Sequence, residues 1–278
     1  MGFVNVTSLR RQLDQVLRMG LDVVGLAEVT LGNAGQRELR KELADAGYDV
    51  IWGAPCKRGR YGARVRSGGV AVIVKRPLKA RMVPPSTPKQ QQLFDAGRLV
   101  HIGIPFGKDC LHYICVYGYT NAAPCREQRQ KNEELMQELR AMVAQLGNAP
   151  VVLAGDMNTP LHKSAVLTSN VQNGVIVDMA MLDAAARGLE EPETTCLAPN
   201  ARQASRIDFI FGNPIAARAM TSCGLSAKCE VPVHKALEAH LRLGRRRQRG
   251  KGYRRPKKNP WLGAPGKQRR RGRGGPQT

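Results

Sequence analysis

No two of the seven cysteines, at positions 56, 110, 115, 125, 196, 223 and 229, are spaced as Cys-x-x-Cys, and their number is odd. That argues against a thiolate zinc site and against a disulfide framework, and makes small buried thiols in a reducing compartment the expectation. The chain also lacks any apolar run approaching the ~20 residues that span a bilayer. Arg10 and Arg11 lead into a broken amphipathic pattern rather than the apolar stretch of a secretion signal. A soluble, intracellular protein with no membrane partner is expected. No internal repeat is present. Acidic residues are missing altogether from positions 245–278, where fourteen Lys and Arg stand.

That last absence explains most of the net charge of +22. The residues up to 244 hold 30 basic and 22 acidic groups, a net of only +8. With 278 residues, 42% of them hydrophobic, the chain has enough apolar material for one large core. The composition predicts a folded domain over residues 1–243. A disordered basic tail over 244–278, unable to bury enough apolar surface to fold, is expected to follow.

Within the domain, short runs rich in Val, Ile and Tyr predict strands at 3–6, 22–29, 49–52, 69–75, 99–104, 111–119, 150–154, 206–211 and 237–243. Alternation through Val70, Val72 and Val74 with Ala71 and Ile73 predicts a strand buried on both faces. Helical spacing appears at 8–19, with Thr7 or Ser8 as N-cap, and again at 36–46 and 126–146. Residues 54–67 and 84–97 read as long loops. Many strands lie too close together for a crossover helix, which suggests a mixed α/β sandwich rather than a doubly wound sheet.

Chemistry-bearing side chains cluster at the predicted strand ends. Gly155-Asp156-Met157-Asn158 follows the apolar run Val151–Ala154, so a buried strand delivers a carboxylate and a carboxamide two residues apart. Gly155 permits a sharp turn or a close approach. Read alone, the same four residues fit a strand-end turn whose Asp and Asn cap the next helix. Ser205-Arg206-Ile207-Asp208 brings another carboxylate to the start of a strand, where a simple charge pair would serve as well. Glu28 closes Val23–Ala27 and is either solvated or a ligand for a hard cation. His234, before the final strand, would by itself be a structural histidine.

Taken in order, these words resemble the endonuclease/exonuclease/phosphatase superfamily over residues 3–243. The matching text is Asn5-Val6-Thr7-Ser8-Leu9, Gly25-Leu26-Ala27-Glu28, Ser67-Gly68-Gly69-Val70-Ala71, Val116-Tyr117-Gly118-Tyr119, Gly155-Asp156-Met157-Asn158, Ser205-Arg206-Ile207-Asp208 and His234 before Ala236-Leu237. The resemblance implies a four-layer α/β/β/α sandwich of two mixed β-sheets flanked by helices. It also implies a metal-dependent phosphodiesterase using Mg²⁺, with Mn²⁺ as the alternative hard cation. Glu28 would bind the metal, with Asn5 helping to hold metal and phosphate. Tyr117, with Tyr119 as a competitor, would donate to a phosphate oxygen. Asp156 would activate the attacking water and Asn158 would steady the phosphoryl group. His234 would stabilise the pentacovalent phosphate, its tautomer set by Asp208.

Two departures stand out. The family's last motif reads Ser-Asp-His, whereas here it reads Pro232-Val233-His234, so a carboxylate is replaced by Val233 and turnover is called into question. Only four residues precede Asn5, which predicts a short and poorly anchored first strand. The superfamily serves several substrates. Here the basic body, the tail and the loop cations Lys57, Arg58, Arg60, Arg64 and Arg66 around Tyr61 favour nucleic acid, DNA with RNA as the alternative. The same loop cations fit a solvated surface, and the tail fits a nuclear address or solubility as well as direct DNA contact. Among nucleases, Tyr117-Gly118-Tyr119-Thr120-Asn121 and His234-Lys235-Ala236-Leu237 resemble the endonucleases of non-LTR, LINE-type retrotransposons. A stand-alone or truncated element-derived enzyme, monomeric and nuclear, is expected. A silent nucleic-acid-binding relative and a phosphatase acting on another phosphoester are the alternatives.

Overall fold

Apolar strands buried on both faces must be covered on both, and the chain does this with two sheets packed face to face. The structure, a computed structural model, describes residues 1–56, 68–120, 122, 125–199 and 201–244. The loop cations Lys57, Arg58, Arg60, Arg64 and Arg66, and the basic tail from 245, lie outside these residues.

The elements run β1 (Gly2–Asn5), α1 (Leu9–Arg18), β2 (Val23–Ala27), α2 (Asn33–Asp45), β3 (Tyr48–Trp52), β4 (Val70–Lys75), β5 (Arg81–Met82), α3 (Pro88–Asp95), β6 (Leu99–Phe106) and β7 (Asp109–Tyr117). They continue through α4 (Arg126–Gln145), β8 (Val151–Asp156), α5 (Ala165–Gln172), β9 (Val177–Asp178), α6 (Met179–Ala186), β10 (Asp208–Gly212), α7 (Pro214–Ala219), β11 (Met220–Glu230) and β12 (Lys235–Leu241). One six-stranded sheet has the order β11-β12-β1-β2-β4-β3, the other β5-β6-β7-β8-β10-β9. Both are mixed. The pair β1–β2 is parallel across α1, and β7–β8 is parallel across α4, while the remaining pairs are antiparallel. The expected α/β/β/α sandwich is the observed fold.

The core falls into three apolar layers. Val70, Val72 and Val74 point between the sheets toward Val100, Ile102, Tyr113 and Val152. Ala71 and Ile73 point the other way, toward Leu9, Leu13 and Val16 of α1 and Leu39 and Leu43 of α2. Beneath the second sheet, Leu135, Met136 and Leu139 of α4 pack on Ile114, Val116 and Leu153. Tyr113 is fully buried, and its hydroxyl ties the sheets together by donating to Gly2 O (2.7 Å) and accepting from Gly25 N (3.1 Å). A side chain at Gly25 would meet that hydroxyl at 2.5 Å.

Three sequence expectations are corrected. Segment 84–97 contains helix α3: Pro88 reads as a breaker, yet at the first helical turn it is favoured, and Thr87 caps it by accepting from Gln90 N at 3.1 Å. Strand β11 escaped detection because it is a half-exposed edge strand with two register shifts, which blur its alternation. The first strand is short but well anchored. All four of its residues are buried, it pairs with β2 and β12, and the Met1 amino group donates to Ala239 O at 2.8 Å.

Gly155 is needed for packing within the sheet. A Cβ there would lie 2.4 Å from the carbonyl oxygen of Val116 on the neighbouring strand, which cannot move without breaking the β7–β8 ladder. Gly155→Ala is expected to lower stability by about 1–3 kcal/mol, as overpacking does in other cores, measurable by urea unfolding.

Candidate active site

The two sheets present their central strands to one shared mouth. Asn5 ends β1, Glu28 follows β2, Tyr117 ends β7 and Asp156 ends β8. Asp208 begins β10, and His234 precedes β12. Register places Tyr117 beside Asp156 and Asp156 beside Asp208 across three adjacent strands. Six side chains scattered over 230 positions of sequence thus converge on one cleft.

Hydrogen bonds join them into two connected groups. Asn5 Nδ2 donates to Glu28 Oε1 (3.2 Å) and to Asp156 Oδ2 (2.9 Å), while its Oδ1 accepts from Thr7 N (3.0 Å). The Tyr117 hydroxyl donates to Glu28 Oε1 at 2.7 Å. On the other side, His234 Nδ1 lies 3.0 Å and 3.2 Å from the two Asp208 oxygens, and its Nε2 is 4.0 Å from Cys196 Sγ. Ligand atoms of Asp156, Asp208 and His234 all lie within 4.8 Å of one another, so the groups share one pocket. Asp156 and Asp208 are fully buried, whereas Glu28, Asn158 and Val233 sit at the rim.

The Gly-Asp-Met-Asn segment does not cap the following helix. Ser164 does so, accepting from Leu167 N at 3.1 Å. Asp156 Oδ1 instead accepts from Asn158 N (2.8 Å), and Asn158 Nδ2 donates to Gly118 O (3.1 Å), which binds two mouth loops together.

Strain concentrates here as well. Among the described residues, those with positive φ that are not glycine are Thr7, Glu28, Thr30, Asn158 and Val233. All lie in loops of this mouth, and Thr30 Oγ1 bonds both Thr7 O (3.2 Å) and Glu28 O (3.0 Å). Val233, at φ 73°, is the least comfortable, because a β-branched side chain clashes in the left-handed region. It is the middle residue of a tight turn closed by His234 N to Pro232 O at 2.8 Å. Flanking bonds from Leu197 N to Val233 O (2.9 Å) and from Lys235 N to Thr195 O (2.7 Å) hold that turn in place. Local strain of this kind persists only where the surroundings over-determine it, as they do at functional sites.

Electrostatics follow from burial. Asp156 is pushed up to about 7, first by desolvation and then by the neighbouring Asp208 charge. For His234, burial works against the charge, but the hydrogen bonds to Asp208 and Cys196 and the charges of Asp208 and Asp156 prevail and raise it to about 11. His234 is therefore an imidazolium at neutral pH. Burial and the Glu28 charge hold the Tyr117 hydroxyl well above its ordinary range, so it stays a donor.

These shifts have one sign for stability. A histidine titrating near 6.5 when unfolded and near 11 when folded contributes fully below 6.5, and that contribution is lost as pH rises through 11. Asp156, raised from 3.8 to about 7, likewise costs stability as pH rises through 7. In metal-free buffer the protein is expected to unfold at lower urea at about pH 9 than at about pH 6, and added divalent cation should narrow the gap.

Four contributors escaped the sequence reading. Thr195 Oγ1 accepts from Ile207 N (3.2 Å) and Asp208 N (3.1 Å), setting the start of β10. Cys196 stands against His234. Asn132 of α4, buried, accepts from Tyr119 N (2.6 Å) and donates to Met157 O (3.3 Å), fixing the mouth to the helix. Arg98 stacks on Tyr117 and Tyr119, 4.6 and 4.5 Å from the ring centroids, and donates to Gly118 O at 2.7 Å. Only a buried Asn inside a charged helix could have been noticed in advance; the others have no local signal. Beside the mouth lies a groove of about 990 Å³ lined by Arg10, Thr30, Asn33, Arg37 and Cys56.

The Endonuclease/Exonuclease/phosphatase family matches residues 4–226. The chain belongs to that family. No curated protein matches it at a significant level. Solved structures of the same fold include the catalytic domain of APE2 from Xenopus laevis (TM-score 0.67, 17% identity, 87% of this chain and 92% of that one). An AP endonuclease from Archaeoglobus fulgidus superposes with TM-score 0.65 at 18% identity, over 86% of this chain and 98% of that one. The 3′ phosphatase NExo from Neisseria, bound to a product DNA hairpin, does so with TM-score 0.63 at 17% identity, over 86% and 98%.

Nucleases of the endonuclease/exonuclease/phosphatase family depend on a divalent metal, and the donor chemistry of this mouth suits one. Glu28 and Asp156 offer hard carboxylate oxygens, and Glu28 Oε2 carries no hydrogen bond among the described residues. His234 is held through Nδ1 by Asp208, which leaves Nε2 as its nitrogen for a further partner. Among the described residues, no helix is long and apolar enough to cross a membrane.

Proposed function

We propose that this protein is a magnesium-dependent endonuclease that nicks DNA, of the retroelement type that its motifs resemble. One observation carries the proposal: a single amide, Asn5 Nδ2, joins Glu28 to Asp156, while Asp208 orients His234 into the same pocket. Hydrolysis of a phosphodiester needs a base for water and positive charge for the phosphate oxygens, and both are present in one mouth.

Glu28 and Asp156 would hold the cation, Mg²⁺ or Mn²⁺, with Asn5 fixing the angle between them. When bound, it supplies positive charge for the phosphate and lowers the proton affinity of water. Asp156 is the acceptor for the proton of the attacking water and must be ionised to act. His234, kept charged by Asp208, donates from Nε2 to a phosphate oxygen, a position now facing Cys196 Sγ. Asn158, steadied by Gly118 O, stands ready for a second phosphate oxygen, and Tyr117 holds Glu28 until substrate competes for its hydroxyl. Arg10 and Arg37 in the adjoining groove, the cations of residues 57–66 and the tail would follow the backbone through sequence-independent contacts.

The second reading, a nucleic-acid-binding protein with impaired turnover, is favoured by Val233 alone. A plasmid assay separates the two. Supercoiled DNA with Mg²⁺ should yield nicked circles, EDTA should stop the reaction, and Asp156→Asn should lower the rate by roughly 10³-fold. A silent native protein that becomes active as Val233→Asp would establish the impaired reading. Silence in both would end the nuclease reading. Removing residues 245–278 should weaken DNA binding and flatten its salt dependence.

A further inference from the structure

The outer face of the β6–β7 hairpin carries a hydrogen-bonded pair of histidines, with a cysteine beside them on the same face, that the hydrolytic site does not use. Alternation along the two strands puts His101, Gly103 and Pro105 of β6 on one face with Cys110 and His112 of β7. Gly103 is the register partner of His112, and Pro105 that of Cys110. His101 Nε2 and His112 Nδ1 are 2.9 Å apart, with ring centroids 5.1 Å apart. Cys110 Sγ rests over Gly103, 3.0 Å from where a Cβ would stand and with Val83 Cγ2 at 3.6 Å, so the missing side chain leaves room for the thiol beside the position opposite His112.

This corner differs from an ordinary buried histidine pair in three ways. First, neither ring has a carboxylate partner among the described residues, so no charge is being neutralised. Second, burial lowers His101 to about 4 and also lowers His112, so both rings are neutral; one facing nitrogen donates to the other, and an ion would take its place once that proton moves to the outer nitrogen of the donor ring. Third, access is graded: His101 is buried, while His112 and Cys110 are half-exposed, which gives an entry path from solvent. Two imidazole nitrogens on one tetrahedral ion stand ~3.3 Å apart for metal–nitrogen bonds of about 2.0–2.1 Å. The observed separation needs only a few tenths of an ångström of opening.

We propose that His101, His112 and Cys110 form a binding site for a borderline-soft divalent ion of the zinc class, separate from the hydrolytic centre. Nitrogen and sulfur donors select such ions over magnesium, whereas the carboxylates of the mouth select hard cations. The sites lie at opposite ends of β7. His112 precedes Tyr117 by five residues, roughly 17 Å along an extended strand. Cys110 approaches the rings by a side-chain rotation, giving up its weak contact to Leu111 O at 3.8 Å. Solvent completes the fourth position. The ion would clamp β6 to β7 near the turn that closes the hairpin, where Pro105 removes a backbone donor.

The test uses the full chain with Co²⁺ as the probe and Mg²⁺ in large excess to compete for the carboxylate mouth. One equivalent of Co²⁺ should remain bound after desalting and show thiolate-to-cobalt charge-transfer absorption. His112→Ala should weaken Co²⁺ at least 10-fold while its metal-free circular dichroism stays native, with thermal unfolding lowered only by the lost hydrogen bond to His101. Cys110→Ser should remove the charge-transfer band and weaken binding. Asp156→Asn should leave both signals intact. Retention of Co²⁺ unchanged by His112→Ala, or its loss in Asp156→Asn, would overturn the site, as would the absence of any retained Co²⁺. Full binding without a charge-transfer band in the native protein would overturn the sulfur ligand.

Discussion

Val233→Asp is expected to raise the rate of DNA nicking by roughly 10²-fold and to stabilise the fold at the same time. The rate gain is the scale of a restored metal ligand or positioned base. The stability gain comes from the backbone: at φ 73° a β-branched residue is strained, while Asp tolerates the left-handed region. Relief of such strain is worth about 1–3 kcal/mol. Two companion variants separate the effects. Val233→Gly and Val233→Asn should gain stability without the rate increase, since neither adds a carboxylate. The new charge would lie near buried Asp156 and Asp208, so without metal it should cost part of the stability gain, and Mg²⁺ should return it as a higher Tm. If Val233→Asp and Val233→Asn are equally stable with and without Mg²⁺ and equally inactive, position 233 is no part of the catalytic centre.

The largest expected loss is that of Asp208→Ala. His234 is buried and protonated, and Asp208 is its hydrogen-bonded counter-ion at 3.0 Å, with side-chain exposures of 8% and 1%. Removing one member of a buried pair leaves an uncompensated charge, at about 3–5 kcal/mol. The imidazolium should then lose its proton, leaving His234 to Asp156 and Cys196 alone. Chemical unfolding would report the stability loss. An NMR titration of the His234 ring should show its pKa falling from about 11 toward the ordinary range. Asp208→Asn should lose less stability, because the amide can still accept from Nδ1, yet should lose the same proton affinity. An unchanged titration in both variants would mean that Asp208 does not set the state of His234.

Much of this protein is legible in its sequence. The strands at 70–75 and 151–156 declared themselves through apolar runs, and the mouth residues through their place at the ends of such runs. What stayed hidden depended on context. Helix α3 lay under a proline that blocks a helix interior but favours a first turn. Strand β11 lay at an exposed edge where burial imposes no pattern. Thr195, Cys196, Arg98 and Asn132 support the mouth from elements far away in sequence, and support of that kind leaves no local mark.

By itself, the sequence determined that the body is a mixed α/β core and that carboxylates, an amide and an imidazole stand at strand ends, because burial imposes a period on each strand separately. Only the tertiary structure decided that Asn5 bridges Glu28 and Asp156, that Asp208 charges His234, and that Val233 occupies a strained turn at the rim. Those are relations between strands of two different sheets. They arise when the sheets pack face to face, and the desolvation that packing brings gives the same side chains their altered proton affinities.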